Sequence, residues 1–212
     1  MVYNINYFIF AENLKYIFME TDKLSPEKSL ELITQVINQA RNKFEENGFI
    51  YMFWGALIAI ASIGQFVLLK NEYHTINWYP YFLMPLGAVY STIYFSKKKR
   101  KNKQNLISKI VSALWIVLSI NMMILGFLFA NNLKENLIPI ILILLSIGTI
   151  ISGTSIKSKL LLFSGIFIGV SAFLGFYLEW VYQPLLMGIV SLISILIPGI
   201  VLMVQHKKKE NV

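Results

Sequence analysis

Apolar residues run in six uncharged stretches between Phe49 and Gln205, at about 49–69, 78–96, 110–130, 136–156, 160–178 and 181–205. About 20 helical residues cross a hydrocarbon core of ~30 Å, and each stretch is close to that length. Backbone polar groups in lipid must bond within their own segment, so helices are expected. The alternation of a membrane β-barrel is absent. The pattern predicts an all-α polytopic membrane protein with six transmembrane helices.

Residues 1–48 carry a different pattern. Ser25-Pro26-Glu27 reads as a helix start, with a hydroxyl cap, proline in the first turn and an acid beside it. Leu30, Ile33, Val36, Ile37, Ala40 and Phe44 then recur at three- and four-residue spacing. The spacing predicts an amphipathic helix over about 25–46, and Asn47-Gly48 predicts a break before the first span. The face made by Leu30, Ile33, Ile37 and Phe44 needs cover. The inner leaflet, the chain's own membrane domain, and a partner or second copy are the three destinations. Glu27, Glu31, Glu45 and Glu46 make this helix a poor match for anionic lipid, which favours packing on protein.

The stretch SPEKSLELITQVINQARNKFEENGFIYMFWG, residues 25–55, resembles the opening of uncharacterised small multi-pass membrane proteins of Bacteroidota-type bacterial genomes. The shared features are an amphipathic helix, an Asn-Gly-Phe break and an aromatic-rich first span. The resemblance implies a bacterial inner-membrane protein and adds no activity. Residues 1–18 lack a basic start, and Glu12 and Lys15 interrupt their apolar run. They are neither signal peptide nor span, and a start at Met19 is the alternative to their belonging to the native protein.

Charge sets the expected orientation. With the N-terminus in the cytosol, 17 of the 19 Lys and Arg fall on the cytosolic side, and Lys70 and Lys134 fall outside. That asymmetry follows the positive-inside rule and predicts both termini in the cytosol, including a basic tail over 206–212. The run from Lys97 to Lys103 sits directly beside a span, where holding the loop inside during insertion accounts for it. No nucleic-acid partner is expected, because no fold presents these bases to one. Tyr73, Trp78, Tyr79 and Tyr81, then Tyr177, Trp180 and Tyr182, mark two edges expected at headgroup level, with Trp54, Tyr90 and Tyr94 toward the cytosolic side.

Candidate chemistry is sparse. There is no cysteine, and the six runs contain no Asp, Glu, Lys, Arg or His. No catalytic, cofactor-binding or metal-ligating set is expected, since His74 and Glu72 lack a third ligand. Asn121 and Gln65 are the candidate interhelical or pathway polar residues. Gly55, Gly148, Gly165, Gly169 and Gly175 are the candidate helix-packing residues, each with a small residue four positions away. Pro85 and Pro198-Gly199 are expected to kink their spans. A shift of 45 residues pairs Pro139 with Pro184, Ser146 with Ser191 and Thr149 with Ser194, which raises a parallel hairpin repeat.

These features point to a non-enzymatic accessory or regulatory component of the bacterial inner membrane, surrounded by lipid and assembling with a protein partner or with itself. The alternative is a transporter or channel for a small neutral or lipid-like solute.

Overall fold

The computed structural model describes residues 26–46, 48–98 and 106–210. The expected cap at Ser25, the break at Asn47, residues 1–18 and the bases from Lys99 to Lys103 lie outside them.

Every regular element among the described residues is helical. Helix α1 spans Pro26–Glu46, α2 Gly48–Lys70, α3 Leu83–Lys98, α4 Leu106–Leu128, α5 Leu137–Ser155, α6 Lys159–Gly175, α7 Gln183–Ser191 and α8 Ile197–Glu210. A 3₁₀ turn over Tyr79–Phe82 leads into α3, and a π-helical turn over Leu192–Leu196 joins α7 to α8. Among the described residues, four segments are long and apolar enough to cross a membrane: Gly48–Lys70, Lys109–Leu128, Ala130–Ser155 and Gln183–Gln205. The chain is therefore an all-α, membrane-embedded protein.

The other two expected runs are shorter as helices. Pro80 and Pro85 hold the chain in a 3₁₀ turn before α3, which then has 16 residues. Pro85 is the third residue of α3, where a missing N–H costs no helical bond, so it starts a helix and does not kink one. Helix α6 stops at Gly175 after 17 residues, and Phe176 to Leu178 continue as turns. Pro198 acts as expected on the ladder but not as a simple kink. It cannot donate to the carbonyl of Ser194, and the ladder absorbs this as the π turn just before it.

Two hairpins end in the same cap. Glu72 follows α2 at φ 65° and Lys157 follows α5 at φ 52°. Around Glu72, its own N–H donates to Leu69 O and that of Tyr73 to Leu68 O; around Lys157, the N–H donates to Thr154 O and that of Ser158 to Gly153 O. This is the paired left-handed cap in which glycine is the usual residue.

Packing divides unevenly. Helices α2, α5, α6 and the α7–α8 rod enclose one core that includes Ile58, Leu142, Leu145, Ile168, Met187 and Val190. Close backbone approach builds it. A Cβ on Gly55 would lie 2.5 Å from Leu196 N, one on Gly153 would lie 2.6 Å from Leu162 N, and one on Gly165 would lie 2.8 Å from Ile150 N. Ser191 Oγ donates to Gly55 O at 2.9 Å, and Ser146 Oγ donates to Gly165 O at 2.8 Å. By contrast α3 packs on α2 and its own leading turn, and α4 packs mainly on α5 and α1.

The two hairpins α2–α3 and α4–α5 share one fastening. Trp54 Nε1 donates to Ser91 Oγ and Trp115 Nε1 to Ser152 Oγ, each at 3.0 Å and each across 37 residues. Gly87 faces Trp54 and Leu57, and Gly148 faces Trp115 and Leu118. All four positions repeat at an offset of 61 residues. The structural repeat thus joins different hairpins from those paired by the 45-residue shift. Of the 45-residue pairs, Ser146 and Ser191 do each donate to a glycine carbonyl on a neighbouring helix.

Candidate functional site

Among the described residues helices α3 and α4 make no extensive contact with one another, and a cavity of about 1910 Å³ lies between the two fastened hairpins. Tyr51 of α2 meets Trp115 of α4 edge-on at 5.8 Å toward the Gly48 end. Phe82 of the 3₁₀ turn meets Phe127 of α4 at 6.0 Å toward the Lys70 end. Between these contacts the wall includes Ile116 and Ile120, both exposed, and the cavity is open on part of its boundary. Usual small-molecule pockets run to about 300–1,000 Å³. This cavity is larger than that range.

The wall changes character along its length. Its middle is apolar, with Ile58, Met84, Met122, Met123, Leu145 and Met187. Methionine at four of these positions gives a surface that adapts to chains of varying shape. The Lys70 end carries uncharged polar groups. Gln65 Nε2 donates to Asn77 Oδ1 at 3.1 Å, and Asn77 Nδ2 donates to His74 O. Ser62 Oγ and Tyr81 OH share a hydrogen bond at 3.2 Å beside them. Gln65 Oε1 is enclosed and has no hydrogen-bond partner. All four tryptophans of the chain, Trp54, Trp78, Trp115 and Trp180, line the cavity.

The residues singled out in the sequence part company here. Gln65 stands on the cavity wall. Asn121 is not among the residues that line it: it is exposed on α4, and its Nδ2 donates to Val117 O at 2.8 Å on its own helix. Gly55, Gly148 and Gly165 each sit at a close helix approach, Gly169 faces Ser146 Oγ and Gly175 faces Pro139. Leu30 and Ile33 are 65% and 56% exposed, Ile37 is half-buried, and the side chain of Phe44 lies outside the described ones. Among the described residues no three His, Cys, Asp or Glu gather as a metal site.

Sequence reasoning placed Trp54, Trp78 and Trp180 as interfacial anchors, and missed Trp115 and the cavity they share. The available signal was the W-x-x-L and G-x-x-x-S pair repeated at 54–91 and 115–152. Comparison of the chain with protein-family models, with curated proteins and with solved structures finds no match.

Proposed function

We propose that this protein is a non-enzymatic, multi-pass membrane protein that holds a lipid-like molecule between its two fastened hairpins. The cavity between α3 and α4 carries the reading, because it is large, apolar through its middle and open on part of its boundary. Binding sites at the junction of internal repeats are a recurrent feature of membrane carriers. The transport alternative therefore gains the specific support, with a lipid-like solute rather than an ion.

Six crossings with both termini in the cytosol of a bacterial inner membrane fit this reading. Phe49 at the start of α2 meets Tyr94 near the end of α3 at 5.7 Å, and Pro80 of the leading turn faces Gly64, so the turn and α3 together return along most of α2. Gly153 near the end of α5 faces Leu162, and Gly175 at the end of α6 faces Pro139 near the start of α5. Helix α6 thus runs the length of α5. The two shorter helices, at ~24 and ~26 Å, cover most of a hydrocarbon core.

The test is native mass measurement of the protein taken from its own membranes in mild detergent. The expected result is a retained lipid adduct that disappears in Gly126→Phe. Gly126 lines the cavity, and a Cβ there meets nothing within 4 Å, so a larger side chain has room to start into the cavity, and an unchanged unfolding temperature is the control for its fold. An adduct-free wild-type protein carrying a stoichiometric protein subunit would replace this reading by the accessory one. That second reading is favoured by the exposed Leu30 and Ile33 on α1. Deleting residues 19–47 would then release the subunit while the spans stay folded.

A further inference from the structure

We infer that the Lys70 end of the cavity selects a lipid whose headgroup is uncharged and bears hydroxyls; this rests on the lipid-binding reading above. The chain of hydrogen bonds there has only one sense. His74 O can only accept, so Asn77 must present Nδ2 to it and Oδ1 to its other neighbour. Gln65 must then present Nε2 to Asn77, and its Oε1 is the acceptor left over. An enclosed acceptor without a donor is destabilising, and a donor brought to it is correspondingly favourable. Oε1 is closed to solvent, so a ligand reaches it after a small rotation of the broad terminal torsion of Gln65, a residue whose side chain forms part of the cavity wall.

The surroundings agree in chemistry. Thr75, Tyr81 and Trp180 line the same end with hydroxyl and indole groups. The indole N–H of Trp78 is taken by Thr75 O, and Nε2 of Gln183 by Gly175 O and Leu178 O. The charges on the cavity wall at this end are Lys134 and the adjacent Glu135, which offset one another. A phosphate oxygen would face the orphaned acceptor as another acceptor, and the wall at this end gives it no unopposed cation cluster. A hydroxyl donates to Oε1 and accepts from its neighbours.

The test uses the full-length protein in detergent and lipids with identical brominated chains. The four probes are a diacylglycerol, a glucosyl diacylglycerol, a phosphatidylglycerol and a phosphatidylethanolamine. Quenching of the cavity tryptophans reads binding. The two uncharged hydroxyl lipids are expected to quench at about tenfold lower concentration than phosphatidylglycerol, the effect of one added hydrogen bond. The glucosyl lipid binding tighter than the diacylglycerol assigns the extra contacts to a sugar; equal binding assigns them to a single hydroxyl. Gln65→Leu is expected to keep the quenching and lose the preference, with Asn77→Leu as a second variant. Equal quenching by all four lipids, or tighter phosphatidylglycerol, overturns the selectivity and leaves the cavity reading standing. No saturable quenching by any probe overturns both.

Discussion

The α5–α6 pair and the α3–α4 pair are both built from apolar runs, α3 being the least apolar of the four, and end in opposite states. In the first, Gly153 and Gly165 bring backbones so close that a Cβ would overlap the neighbouring helix, and Ser146 bonds across the seam. In the second, the helices stand apart, and a Cβ on Gly126 meets nothing within 4 Å. Lipid tails are as apolar as leucine, so hydrophobicity does not draw helices together in a bilayer. Small residues in register do. The tight half is a scaffold because its glycines face the backbone of the neighbouring helix, and the loose half is free to hold a ligand because its helices rest on different partners, α3 on α2 and α4 on α5 and α1.

That contrast can be broken at its strongest point. Gly55→Leu places side-chain atoms where Leu196 backbone stands 2.5 Å from the Cβ, and it should lose about 3 kcal/mol or fail to fold, read by thermal unfolding in detergent. Gly126→Leu, in the loose half, should unfold within a degree or two of wild type. Equal losses at the two glycines would show that the halves do not differ in packing.

The two Trp–Ser fastenings allow a finer comparison. Trp54→Phe with Ser91→Ala, and Trp115→Phe with Ser152→Ala, should each show a coupling of about 0.6 kcal/mol in a double-mutant cycle. Similar values would support the repeat, and a coupling in one hairpin only would remove it as an energetic unit. Ser191→Ala should cost about 0.6 kcal/mol through the lost bond to Gly55. The smallest effect is opposite in sign. Lys157→Gly relieves a left-handed backbone at φ 52° and should raise stability by a few tenths of a kcal/mol, the gain being offset by the freer unfolded chain.

The helices were legible because an apolar run in lipid has few alternatives to closing its own hydrogen bonds. The amphipathic helix was legible to within a residue, since Pro26 and the spacing of Leu30, Ile33 and Ile37 mark it locally. Asn121, a polar residue near a span centre, reads as a contact, while its amide reaches the carbonyl of Val117 one turn back. Trp54 was legible only in part. Its position near a span end satisfies the rule for interfacial rings, while its partner Ser91 lies 37 residues away. The cavity had no local signature at all, because it arises where two helices fail to meet. Gln65 was visible as polar, but its leftover oxygen follows from the order of bonds through Asn77 to His74.

The reach of each hydrogen bond along the chain also implies an order of birth. Each Trp–Ser fastening spans 37 residues and can close as soon as its own hairpin has left the ribosome and entered the bilayer. The bond from Ser191 to Gly55 spans 136 residues, and Gly48 meets Met203, so that seam waits for nearly the whole chain. Synthesis would thus deliver two sealed hairpins first, with the final rod closing the molecule from behind.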